Sequence, residues 1–109
     1  MKLMTKEIEK MLPALYATEE TQPELADKKI IVKFFTPWTN WTWFVFEGEK
    51  RADGDFEFFG MVHGQEKEAG YFTLNQLAEV RGPGGLKIER DCHLDAGITY
   101  GEYCKKQGF

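Results

Sequence analysis

The sequence is poor in cysteine, in histidine and in runs of basic residues. It has two cysteines and two histidines among 109 residues, too few for a disulfide framework. Cys92, His93 and Cys104 lack the paired spacing of a zinc knuckle, so we interpret them as thiols and a surface imidazole. No run of Lys and Arg exceeds two residues and the net charge is −4, whereas a nucleic-acid binder normally carries a basic face. We therefore expect no metal, no cofactor and no direct nucleic-acid binding.

Long apolar segments are also absent. The longest, at 30–32 and 43–46, are far too short to cross a membrane. The residues after Met1 contain no apolar core of a secretory signal. We expect a reduced, cytoplasmic protein with no membrane partner.

Aromatic residues, by contrast, make up 15% of the chain, with nine Phe among them. The length suits a single domain able to bury its own core. We expect one domain over 1–109, with its core at about 5–92 and a C-terminal tail at 93–109. An aromatic core is the simplest reason for so many rings.

The periodicity of apolar residues predicts an α+β fold. Helical spacing at the start predicts a helix over about 5–12, interrupted by Pro13. From residue 29 the spacing becomes that of strands, and Asp53-Gly54 is typical of a hairpin turn. The predicted elements are an antiparallel meander of strands 29–35, 41–47 and 56–63, further strands at 68–72 and within 86–91, and helices at 74–80 and 100–106, each opened by a capping box.

The second predicted strand is apolar on both faces. Trp41, Trp43 and Val45 would face one side, and Thr42, Phe44 and Phe46 the other. We therefore expect helices on one side of the sheet, and a partner or a loop over part of the other.

Several blocks of residues carry a family likeness. They are 12–19 (LPALYATE), 34–37 (FFTP), 41–43 (WTW), 59–64 (FGMVHG), 70–74 (GYFTL) and 81–91 (RGPGGLKIERD). In this order they resemble a domain-of-unknown-function family of small proteins from plasmids, integrative elements and phage-like regions. The likeness covers about 5–92, and the tail from Cys92 onward departs from the pattern.

The resemblance implies a setting more than an activity. Members of the family often lie near antirestriction and DNA-modification genes, which indicates mobile-element biology. The family offers no catalytic motif for this chain.

Three tryptophans at the first strand turn are the leading candidates for a binding site. Trp38, Trp41 and Trp43 lie within six residues, and all three cannot easily turn inward around a turn. An exposed ring on a turn stiffened by Pro37 is a candidate hot spot for another protein or for a second copy of this chain. The competing interpretation is that Trp38 covers the core. Asp53 and Asp55 add an acidic edge at the second hairpin, where a solvated tip is the alternative.

Our leading expectation is a non-enzymatic protein-binding module of a mobile element, an inhibitor or accessory factor linked to antirestriction or defence. The alternative is a small enzyme or small-molecule-binding protein with a pocket near His63 and Tyr71. A binding module should present an aromatic patch, and an enzyme should present a concave pocket with convergent polar groups.

Overall fold

Five strands and three helices make up the fold of the described residues. The structure is a computed structural model that describes residues 2–108, so positions 1 and 109 of the predicted domain lie outside the described residues. The strands are β1 (Val32–Phe35), β2 (Thr42–Lys50), β3 (Phe56–His63), β4 (Lys67–Thr73) and β5 (Glu89–Arg90). The helices are α1 (Lys6–Met11), α2 (Leu74–Glu79) and α3 (Tyr100–Gln107). Single turns of 3-10 helix lie at Leu25–Asp27 and Pro83–Gly85.

The strands form one antiparallel sheet in the order β4-β3-β2-β1-β5. The predicted meander and the α+β class are therefore confirmed. The short β5 pairs with β1 at the edge of the sheet, where its charged sequence meets solvent at little cost.

Local sequence sets where the helices begin. The hydroxyl of Thr5 caps α1. Thr73 and Thr99 open α2 and α3, and each forms the reciprocal bonds of a capping box with the residue three positions later. These bonds satisfy amide groups that the first helical turn leaves without partners.

Both faces of the sheet are buried by the chain itself. One core lies under α1 and α2 and includes Phe34, Val45 and Phe58. The other lies under α3 and the tail, and includes Phe44, Phe46 and Ile98. Of the two covers expected for the second face, a partner or a loop, the structure shows a cover from the chain itself, the C-terminal segment with α3.

A bulge interrupts β2 between Val45 and Glu47. Val45 pairs with Gly60 and Glu47 pairs with Phe59, so Phe46 is an extra residue without a partner on β3. One extra residue reverses the side on which every later side chain lies. Glu47 is thereby turned onto the face that carries α3.

Among residues 2–108, no helix is long and apolar enough to cross a membrane.

Candidate functional site at the tryptophan turn

The turn between β1 and β2, residues 36–41, is closed by hydrogen bonds; we call it the tryptophan turn. The Thr36 amide donates to the Trp41 carbonyl oxygen at 3.0 Å, and the Thr39 amide donates to the Thr36 carbonyl oxygen at 3.3 Å. The hydroxyl groups of Thr36 and Thr39 also bond to each other. With Pro37 between them, these contacts hold the chain reversal in one conformation.

Two of the tryptophan rings lie against glycines. A Cβ added at Gly64 would lie 2.5 Å from the Trp41 ring, and one added at Gly82 would lie 2.4 Å from the Trp38 ring. Both distances are below van der Waals contact, so only glycine allows each ring its place. Trp41 remains 41% exposed, whereas Trp38 is half-buried.

Trp43 belongs mainly to the core. It is half-buried and packs against the core under α1 and α2. Its ring centroid lies 5.9 Å from that of Trp41, so it supports the exposed ring from one side. The three tryptophans therefore divide between exposed, half-buried and supporting positions.

A cavity of about 610 Å³ opens beside the turn; we call it the basic cavity. Its lining includes the ring of Trp41, the cations Lys33 and Lys67, and the imidazole of His63. Glu66 contributes one negative charge to the same lining. A volume of this size suits a small ligand or a few side chains of a partner.

His63 is buried at the end of β3. Its Nε2 lies 2.6 Å from the hydroxyl oxygen of Tyr100, and its ring meets the edge of Phe44 at a centroid distance of 4.8 Å. Burial, together with the nearby charges of Lys67 and Lys33, lowers the pKa of His63 below its usual value. The imidazole is therefore neutral at pH 7, with its Nε2 engaged by the Tyr100 hydroxyl.

Lys33 is held as a cation. Its Nζ donates to the Tyr103 hydroxyl at 2.8 Å and to the Asp91 carboxylate at 3.2 Å. Burial opposes its charge, but these hydrogen bonds outweigh burial and raise the pKa of Lys33. Asp91 shows the converse: burial opposes its ionisation, but the hydrogen bonds from the His93 amide and Lys33 lower its pKa.

The acidic edge predicted at the second hairpin lies away from the tryptophan turn. Asp53 and Asp55 belong to the hairpin at the other end of β2, whose eight steps span about 26 Å. Asp55 is buried, and its carboxylate accepts the amides of Phe56 and Asn75. Asp53 is exposed and accepts the Asp55 amide. Asp55 is a structural carboxylate, and neither residue is part of the tryptophan turn.

His63 and Tyr71, predicted to share a pocket, line two different cavities. Tyr71 pairs with Phe59 across the β3–β4 ladder, whereas His63 pairs with Lys67. Four strand residues, about 13 Å, therefore separate Tyr71 from the His63 position. Tyr71 instead contacts Tyr16 at a ring-centroid distance of 6.3 Å.

Sequence reasoning missed a buried ion pair below Tyr16. Lys28 and Glu47 are only 4% and 2% exposed, and their charged groups lie 3.7 Å apart. Both contact Thr18. No local pattern distinguishes these residues from solvated charges, since Lys28 ends a polar loop and Glu47 precedes a hairpin.

The cysteines and His93 do not converge. Cys92 and His93 are exposed beyond the end of β5, and Cys104 is half-buried on α3. Within residues 2–108, no three His, Cys, Asp or Glu side chains are grouped so that they could hold a metal ion.

Comparison with known proteins gives a family and no activity. No curated protein and no solved structure matches the chain. Residues 3–107 match the family described as "Protein of unknown function (DUF2958)". This match includes the tail from Cys92 onward, so the expectation that the tail departs from the family pattern is corrected. The chain belongs to this family of proteins of unknown function.

Proposed function

We propose that the chain is a non-enzymatic, cytoplasmic protein-binding module of a mobile genetic element, and that it docks through the tryptophan turn. It would act as an inhibitor or accessory factor in antirestriction or defence. The docking proposal rests on Trp41. Its large ring is exposed, lies against Gly64 and belongs to a turn that is closed by hydrogen bonds. The likeness to proteins of plasmids and phage-like regions supports the setting.

The physical basis is pre-organisation. Binding costs free energy for each side chain that becomes ordered, about 0.5–1.5 kcal/mol. The Trp41 ring is already confined by Gly64 on one side and Trp43 on another. Little is therefore lost on docking, and Trp is among the residues that most often dominate binding energy.

The basic cavity indicates what the partner presents next to Trp41. Its lining holds Lys33, Lys67 and Glu66, and the charge of Lys33 is already balanced by Asp91. An acidic side chain of the partner would fit there, close to the exposed Lys67. Attraction between unlike charges then favours this orientation of the partner over others.

Trp41→Ala tests the proposal, with Met11→Ala as the matched control. Both side chains are large, apolar and exposed, but Met11 lies on α1, away from the turn. We expect Trp41→Ala to abolish capture of the partner, or self-association measured by sedimentation, and Met11→Ala to leave both unchanged. Thermal melts of the two variants check that each is folded. Equal partner capture by wild type and Trp41→Ala would reject the turn as the docking site.

A small-molecule-binding function is the second candidate, favoured by the cavity itself. The ligand would be a small organic anion, because the exposed Lys67 lines the cavity together with the apolar ring of Trp41. Thermal-shift measurements with simple aromatic and aliphatic carboxylates test this candidate. A rise in melting temperature that His63→Gln removes would favour ligand binding over protein docking.

A further inference from the structure

Two exposed tyrosines form a second aromatic surface, independent of the tryptophan turn. Tyr16 is 58% exposed and Tyr71 is 52% exposed. Their rings are tilted by 52°, and the Tyr71 ring also lies 5.2 Å from that of Phe59. A cavity of about 480 Å³ adjoins the rings, with Pro23 and Leu25 in its lining. Exposed aromatic rings that adjoin a concavity are candidates for a protein-interaction site.

The chain holds Tyr16 in a conformation that costs free energy. Its φ angle is +70°, in the left-handed region that residues with a side chain seldom adopt. The Glu47 carboxylate accepts the Tyr16 amide at 3.0 Å and the Thr18 amide at 2.9 Å. Residues held in strained conformations by surrounding contacts are concentrated at functional sites.

The segment that carries Tyr16 is negatively charged. Residues 11–27 contain four acidic side chains and no Lys or Arg. All four are exposed: Glu19, Glu20, Glu24 and Asp27. Lys28, which lines the cavity, is buried and paired with Glu47, so its charge is already balanced.

The pKa of Tyr71 agrees with a negatively charged surrounding. Its hydrogen bond with Tyr16, partial desolvation and the charges of Glu19 and Glu47 raise the pKa of Tyr71 to about 12. The face of an aromatic ring is itself negative and attracts cations. Negatively charged side chains close to the ring add to this attraction.

We propose that Tyr16 and Tyr71 form a docking surface for an arginine side chain from a basic segment of a partner protein. A guanidinium group is planar and stacks on aromatic rings, while its five N–H donors reach carboxylates at the edge. Tyr71 supplies the ring, and Glu19 supplies a carboxylate in the lining of the same cavity. A lysine ammonium would gain the charge attraction but not the stacking.

The experiment is a titration of the isotope-labelled protein, followed by the NMR shifts of its backbone amides. The probe is a five-residue peptide with two arginines among glycines, and the comparison peptides carry lysine or glutamate instead. We expect saturable shifts around Tyr16 and Tyr71, in the order arginine, then lysine, with none for glutamate. Binding should weaken with added salt, since the attraction is partly between exposed charges.

Four variants test whether the Tyr71 ring itself binds arginine, separately from any effect on folding or on the tryptophan turn. Tyr71→Ala should weaken arginine binding about fivefold, whereas Tyr71→Phe, which keeps the ring, should bind nearly as well as wild type. Glu19→Gln should weaken it about twofold, the share expected of one partly screened charge. Trp41→Ala should bind the peptide as well as wild type does. A failure of the docking proposal for the tryptophan turn would therefore not affect the proposal for the tyrosine surface.

Three results would overturn the proposal. The first is that the arginine peptide shifts backbone amides over every acidic surface of the molecule. The second is equal affinity in wild type and Tyr71→Ala. The third is a concentration-dependent shift at Tyr16 and Tyr71 without any peptide, which would assign the surface to a second copy of this chain.

Discussion

Removing the buried carboxylate of Glu47 should destabilise the fold more than removing any exposed charge. In Glu47→Ala the Lys28 ammonium stays buried but loses its counter-charge. The Glu47 carboxylate also accepts the Tyr16 and Thr18 amides and the Thr18 hydroxyl, so these three groups lose their acceptor as well. The substitution therefore breaks a network and leaves its remaining members unpaired.

The expected loss follows from the burial of the pair. Removing one partner of a buried ion pair costs about 3–5 kcal/mol, because the other charge stays in a poorly solvated place. The free energy of unfolding of a domain of this size is about 5–15 kcal/mol in total. We expect a loss of about 4 kcal/mol in Glu47→Ala. In Lys28→Met/Glu47→Leu both charges are gone, and the loss should be much smaller than the sum of the two single losses.

Urea unfolding, followed by tryptophan fluorescence, measures the effect. With a slope of about 1.5 kcal/mol/M, a loss of 4 kcal/mol lowers the midpoint by about 2.7 M. Glu49→Ala is the matched control, since Glu49 lies on the same strand, is exposed and accepts the Leu15 amide at 3.3 Å. Its substitution should change the free energy of unfolding by less than about 0.5 kcal/mol.

The reasoning fails if Glu47→Ala loses no more stability than Glu49→Ala. It fails also if the double substitution costs the full sum of the single ones. The dependence of the free energy of unfolding on acidic pH offers an independent check. Hydrogen bonds from Thr18 and Tyr16 and the charge of Lys28 outweigh burial and lower the pKa of Glu47. Its stabilisation is therefore present above the ordinary pKa of about 4.5 and is lost as the pH falls below it.

Two further predictions concern the sheet and its histidine. Gly60→Ala should prevent folding, because its Cβ would lie 1.7 Å from a backbone oxygen of β2. Gly70→Ala, at the paired position on β4, should be tolerated, because nothing lies within 4 Å of its Cβ; circular dichroism of both variants decides. The lowered pKa of His63 means that the folded state resists protonation, so wild type should lose stability as the pH falls through about 6.5. His63→Gln should lose less between pH 7 and pH 5, and equal losses in urea midpoint would contradict the assignment.

Much of the fold was determined by local sequence. Helices α2 and α3 each begin directly after a threonine, Thr73 or Thr99, that is followed three positions later by Gln or Glu. The capping bonds predicted from this pattern are present in the structure. The switch from helical to two-residue periodicity located β1, β2 and β3. These signals act between neighbours in the chain, so a sequence read alone contains them. The tryptophan turn was located in the same way.

The tertiary structure decided which charges are solvated. Strict alternation along β2 would put Glu47 on the side of Trp43 and Val45. The bulge at Phe46 turns it to the opposite side, where Lys28 and the loop of Tyr16 lie. Alternation contains no sign of a bulge, because an extra residue is defined only by its pairing with another strand. The buried ion pair, the strained loop above it and the exposed tyrosines therefore depend on contacts between residues 19 or more positions apart.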